Sequence, residues 1–408
     1  MNNTAHSFFR DRPEWADITP LKQDESPRDV VRIAYSDAFI DAHDYVRAVM
    51  AKDERSPRAL SLTTECLQMN PANYTVWEYR RRILLSLKTP LVNEHHFVKT
   101  FLYEHPKNYQ VPRVYHFYLL SLSTFNVLIL LLLIVVRLFS SQLWYHCQWL
   151  MEQMFKEDSP KEVFKKPESE QFQTLSRELD LVKTVLADDA KNYHAWQYRR
   201  WLVDFFAIPP SNELEFCGAL LREDIFNNSA WNHRFYTVIE EGLDGNIFDR
   251  ELKFTEDAIR ASPNNQSACN YLIGILSPLP RLTPNESGQL TAADDLPSEA
   301  NLLRVREFIE DTIAQDISGA AESPALLSLL VEVLYDFLRI LHKKCGGKPA
   351  TAAGVGDAEK AEDIVRQLIS LCDRLALELD RVRANYWRYR YRQVEQMAAE
   401  LNLPCDKH

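Results

Sequence analysis

Glycine is scarce in this chain of 408 residues: there are 10, with 20 prolines. An average chain carries about 7 % Gly and about 5 % Pro. So little glycine argues against a fold of sheets and tight turns and for long continuous helices. Paired cysteines are also missing. The seven (66, 147, 217, 269, 345, 372 and 405) are odd in number and scattered, without a C-x-x-C. That pattern implies a reducing compartment, a cytoplasmic location and neither disulfides nor a local zinc cage. The eleven histidines form no H-E-x-x-H, and His95 and His96 are adjacent, so a helix points them apart; no metal site is expected within the chain. The start, MNNTAHSFFRDRPEW, lacks the apolar stretch of a secretory signal. Positive charge is in deficit, with a formal net charge of -11, and an acidic surface repels phosphate backbones, which excludes nucleic acid as the expected partner. Hydrophobic residues at 46 % are enough for a core and exclude global disorder.

What is present is a repeat. PANYTVWEYRR (Pro71 to Arg81), DAKNYHAWQYRR (Asp189 to Arg200) and NNSAWNHR (Asn227 to Arg234) each place an Asn four residues before a Trp. PNNQSACNYL (Pro263 to Leu272) puts Cys269 in the Trp place, and RANYWRYR (Arg383 to Arg390) is a terminal variant. Trp196 to Trp231 is 35 residues and Trp231 to Cys269 is 38. Such a period is two helices and two turns, an α-solenoid unit. The expected fold class is therefore all-α, an α-solenoid of helical hairpins. Asn, Pro and Asp favour the turn and the N-cap of the second helix. Tyr and Trp three residues apart are expected to share its packing face. Arg at Trp+3 (Arg80, Arg199, Arg234, Arg390) is expected to bind carboxylates or terminal carbonyls of a neighbouring helix.

The expected organisation is a flexible N-terminus over 1–14 and a single repeat domain over 15–408, with loops at 156–170, 279–299 and 345–360. One segment does not belong. Residues 114–136, between Arg113 and Arg137, hold no Asp, Glu, Lys or Arg and include NVLILLLLIVV. By hydropathy this reads as a membrane span, a buried core helix or an insertion foreign to the fold. Register favours the insertion. Joining PKNYQ (Pro106 to Gln110) to LWYHCQWL (Leu143 to Leu150) restores a missing repeat with Trp144 four places after Asn108. The block 111–142 has 32 residues, and without it the separation of Trp77 from Trp144 falls from 67 to 35. Translation of a retained intron accounts for such a block: Val111 and Gln142 fit splice-border codons, and a pyrimidine-rich tract encodes Phe, Leu, Ile, Val and Ser. The Arg pair of the other repeats is here Cys147–Gln148, so some ion pairing between helices is expected to be lost.

These motifs resemble the repeats of protein prenyltransferase α-subunits. The lead WADITPLKQDESPRDVVRIAYSDAF (Trp15 to Phe39) and KDERSPRAL (Lys52 to Leu60) narrow the resemblance to the α-subunit shared by farnesyltransferase and geranylgeranyltransferase type I. The resemblance implies a right-handed superhelical array of antiparallel helical hairpins, a TPR-like crescent around a β-subunit, an α-α barrel that carries zinc, with magnesium also in the holoenzyme. It implies transfer of an isoprenyl group from its diphosphate to a Cys near the C-terminus of CaaX proteins. It assigns Lys107 to the departing diphosphate, places Tyr109 and Gln110 in the shared active site, and sets Asn192, Tyr193 and His194 near the isoprenoid diphosphate. On the residues alone, the alternatives are a Rab geranylgeranyltransferase α-subunit, a non-catalytic TPR-like adaptor, and a single-span membrane protein with a helical domain.

Overall fold

A computed structural model describes residues 7–23, 34–104, 142–157, 159–277, 282–284, 290–292, 296–346, 348–352 and 354–404. They fall into two compact units divided after Ile208. In the first unit α1 (Asp37–Ala51), α2 (Pro57–Met69), α3 (Tyr74–Leu87) and α4 (Leu91–Glu104) precede α5 (142–154), the short α6 (Pro160–Val163), α7 (Glu170–Asp188) and α8 (Tyr193–Phe206). The second unit holds α9 (Pro210–Glu223), α10 (Asn228–Glu241), α11 (Gly245–Ala261) and α12 (Gln266–Leu276). A two-stranded antiparallel ribbon follows, β1 (Leu282–Pro284) on β2 (Leu290–Ala292), with Thr283 opposite Thr291. The chain continues with α13 (Glu299–Ala314), α14 (Pro324–Cys345), α15 (Val355–Arg374) and α16 (Ala384–Glu400). Sequential helices pack in pairs, as the helical period requires.

One four-residue turn builds the repeat. It occupies 70–73, 189–192, 224–227 and 262–265. Its first N–H closes the preceding helix, as in Asn70 to Cys66 O and Asp189 to Val185 O, both 2.9 Å. Its fourth residue, Asn73, Asn192, Asn227 or Asn265, bonds back to the first and caps the next helix. The capping Oδ1 accepts from Val76, Ala195, Ala230 and Ala268 N–H at 3.1 to 3.3 Å. So short a link obliges the two helices to run antiparallel. The Trp side chain then locks the turn: Trp77, Trp196 and Trp231 Nε1 donate to the carbonyls of Pro71, Ala190 and Ile225 at 2.8 to 2.9 Å. Cys269 lacks that donor, and the corresponding carbonyl of Pro263 accepts from Ser323 Oγ at 2.9 Å instead. The terminal variant departs from the pattern. Asn385 lies inside α16, and Trp387 donates to Asp380 at 2.7 Å.

Several expectations are corrected. Residues 9–14 are not a flexible lead: Phe9 and Trp15 are buried edge-to-face at 5.4 Å against Tyr45, and Arg12 forks onto Glu65. Aromatic burial outweighs the polar composition there. Within 156–170, α6 forms and buries Val163. Within 279–299 lies the ribbon, and 345–360 contains the start of α15 and a backbone bond from Ala350 to Leu401 O. Gly346, at φ +55°, ends α14 in the left-handed region. Among the described residues no helix is long and apolar enough to cross a membrane. The apolar run 114–136 lies outside them, as do Lys107, Tyr109 and Gln110.

Candidate functional site

The described part of the expected site is the start of α8. Asn192 is buried, and its carboxamide oxygen is taken by the cap bond to Ala195 N–H at 3.1 Å. Its role there is to set the helix start. Tyr193, the first helical residue, is 67 % exposed. His194 is half-buried, edge-on to Tyr193 with ring centroids 5.6 Å apart. The N–H groups at a helix start point outward and favour an anion, and exposed Lys191 adds a cation beside them. Tyr74 of the first repeat stands at the same place and is 70 % exposed. Tyr and Trp therefore do not share the packing face. Three residues leave a 60° offset on the helix, and the first-turn position stands at its open end. The aromatic that is buried with Trp is the residue at Trp+2: Tyr79, Tyr198 and, after Cys269, Tyr271.

Beneath these helix starts lie buried carboxylates that the sequence reading missed. Glu94 of α4 receives Arg80 Nε and Nη2, both at 2.7 Å, and His146 Nε2 at 2.9 Å. Arg80 also donates from Nη1 to Leu60 O and to the hydroxyls of Thr63 and Thr64. Glu178 of α7 binds His95 at 2.5 Å, Lys99 at 2.9 Å and Tyr198 at 2.7 Å. In the second unit Arg234 forks onto Glu251 at 2.7 and 3.0 Å, Tyr271 joins them at 2.7 Å, and His233 meets Glu213 at 2.8 Å. Arg390 meets Glu332 at 2.9 Å. Arg80, Arg234 and Arg390 at Trp+3 thus bind carboxylates of neighbouring helices. The charges are fixed by this pairing. Burial pushes the Glu94 carboxyl up, but His146 and Arg80 outweigh it and hold it at about 2. Glu178 and Glu251 are lowered in the same way, by His95 and Lys99 and by Arg234 and Tyr271. Burial lowers His146, which therefore stays neutral, with its Nδ1 unpartnered among the described residues.

A spacing rule runs through the set. The Trp+2 residue reaches a carboxylate 20 residues upstream in Tyr198–Glu178, His233–Glu213 and Tyr271–Glu251. His146–Glu94 spans 52; leaving out the 32 residues of 111–142 brings it to 20. A Glu 20 residues before Tyr198, His233 and Tyr271 was the available signal; Tyr79 departs from it, with Ala59 at that place and its hydroxyl on the backbone carbonyls of Val49 and Glu54. At Cys147–Gln148, where other repeats carry arginine, His146 one position earlier gives Glu94 a hydrogen bond from a neutral ring rather than an ion pair.

The histidines and carboxylates of these networks are spent on one another, and no group of three or more metal-binding side chains occurs among the described residues. These residues do not fit a zinc ion.

The protein prenyltransferase alpha subunit repeat matches residues 56–87, 175–206, 210–239 and 248–279, which are the pairs α2–α3, α7–α8, α9–α10 and α11–α12. The chain is 31 % identical over 395 residues to the protein farnesyltransferase/geranylgeranyltransferase type-1 subunit alpha of Pisum sativum, covering 96 % of each. Its counterpart in Arabidopsis thaliana is 31 % identical over 388 residues, 94 % of this chain and 95 % of that one. The fold matches a chain of Candida albicans protein geranylgeranyltransferase-I complexed with GGPP at a TM-score of 0.62 and 22 % identity, covering 93 % of this chain and 98 % of that one. With four repeats sharing one turn, three of them the tryptophan lock and three the carboxylate spacing, and with this near-full-length identity, the chain belongs to the protein prenyltransferase alpha-subunit family, of the farnesyltransferase/geranylgeranyltransferase type-1 kind.

Proposed function

We propose that this chain is the non-zinc subunit of a heterodimeric, cytoplasmic CaaX prenyltransferase, active only with its β-subunit. The observation that carries the reading is the start of α8, where Tyr193 is presented to solvent beside His194 and Lys191, above a buried frame that fixes the helix. The GGPP held by the Candida relative supports an isoprenyl diphosphate as substrate. In the proposed reaction the sulfur of a substrate Cys attacks C1 of the isoprenyl chain. The C1–O bond breaks, and diphosphate leaves with the bonding pair. Negative charge grows on the leaving oxygens, so a cation placed there stabilises the transition state more than the ground state. Lys107 is assigned that role, with Tyr109 and Gln110 lining the pocket and Tyr193 and His194 beside the diphosphate. Zinc and magnesium belong to the holoenzyme in this proposal, the zinc on the β-subunit.

The test is co-expression with a farnesyltransferase β-subunit, followed by transfer of labelled farnesyl to a CaaX peptide. Lys107→Ala is expected to slow transfer by ~1–3 kcal/mol of lost electrostatic stabilisation while the heterodimer still assembles. Turnover equal to wild type removes Lys107 from the mechanism. No transfer by the wild-type complex sinks the proposal.

A further inference from the structure

Residues 381–392, RVRANYWRYRYR, hold five arginines and no acid, in a chain whose net charge is -11. They form the one-turn helix Arg381–Arg383 and the first half of α16. The turn is a projecting apex: Val382 is 98 % exposed, with exposed Arg381 and Arg383 on either side. Along α16, Trp387, Val394 and Ala398 face the core. The opposite arc presents Arg388 and Arg392 beside Tyr386 and Tyr389, which are 41 % and 54 % exposed. Two nearby acids are engaged by this segment, while Glu378, three residues before Arg381, is exposed. Asp380 is held by Arg383 and by Trp387 Nε1 at 2.7 Å, and Glu332 is half-buried beneath Arg390.

An exposed valine at a convex tip and two phenols at the edge of an arginine face have the chemistry of an interfacial anchor. The apolar tip enters the headgroup layer, tyrosines sit at its boundary, and arginines meet anionic headgroups. An acidic peptide held by charge alone would leave the exposed valine and tyrosines unused, whereas a lipid interface takes them up. We infer that residues 381–392 dock the protein peripherally on an anionic lipid surface, a contact distinct from any membrane span and from the transferase site. In an otherwise acidic molecule, one basic face also orients the approach.

The test is co-sedimentation of the full chain with vesicles of about 30 % phosphatidylserine in phosphatidylcholine, against pure phosphatidylcholine, at about 0.15 M salt. Binding is expected on the anionic vesicles alone. Arg381→Ala/Arg388→Ala/Arg392→Ala should weaken the partition about fivefold per arginine, on the order of 100-fold together. Val382→Asp should weaken it at unchanged arginine content. These positions are solvent-exposed, so circular dichroism of the variants should match wild type. Equal sedimentation with neutral vesicles, or binding that both variants retain, overturns the inference; the second outcome would assign the contact to another part of the chain. Absence of binding overturns it as well, as does capture by polyglutamate that vesicles cannot displace. The readout is independent of transferase activity.

Discussion

His146 stands where other repeats carry Tyr198 or Tyr271, and it performs the same task by donating to a buried carboxylate. It differs in being titratable near neutrality. Burial sets its folded pKa below the ordinary imidazole value of about 6.5, so the neutral ring is the native form. Its share of stability is complete above that unfolded value and is lost as pH falls through the folded one. His43, also lowered by burial, acts with the same sign. Urea unfolding should therefore show stability declining as pH falls below about 6.5, and His146→Tyr should flatten the decline while costing ~1–3 kcal/mol at neutral pH through the larger ring. An undiminished slope in that variant would clear His146 of the effect. Below that range the carboxylates take over. Glu94, held at about 2 against an unfolded value of about 4.3, contributes stability that is complete above the latter and lost as pH falls toward the former. The arginines at Trp+3 were readable as carboxylate binders from the motif. Their partners were not, because Glu94 and Glu251 lie on other helices and only packing brings them within 3 Å.

At the scale of the helix, α5 offers the best view of the interrupted repeat. Its Leu143, Trp144, Cys147, Leu150 and Met151 are buried, and His146 lies 4.6 Å from the ring of Trp77. The downstream half of the split motif thus fills a second-helix place. The 20-residue carboxylate spacing, recovered at His146–Glu94 when 111–142 are left out, supports reading that block as an insertion. A chain with Gln110 joined directly to Leu143 is expected to fold and to melt no lower than the full chain, with less aggregation, since an apolar block of this composition is an aggregation hazard. Thermal melts with light scattering check this; a melting point lowered by several degrees would make the block part of the fold. A tryptic peptide crossing that junction in the natural organism would support the retained-intron account. The helices themselves were legible from period and turn chemistry. The lead at 9–15 was not, since its order comes from Tyr45, Asp41 and Glu65, more than 25 residues away.

For the molecule as a whole, cysteine use and burial agree. The six described cysteines are buried and in no disulfide. Burial raises the thiols of Cys66, Cys269 and Cys372 to about 12, and that of Cys147 well above its ordinary value. At mildly alkaline pH these six should be silent to a thiol reagent in the native protein and should react with Cys405 as a set of seven on denaturation. Fast native reaction of several would show that the units open readily. Fold class and family were within reach of the sequence because each repeat states its turn, cap and tryptophan locally and states them several times.

Local rules therefore determined the helices and their pairing, since caps and four-residue turns act over one helical pitch. What waited for the tertiary structure was which charges lie buried together and which face of α16 is left to solvent. Those outcomes depend on packing between segments distant in the chain, where a single carboxylate is indistinguishable in sequence from a solvated one until a neighbouring helix removes the water.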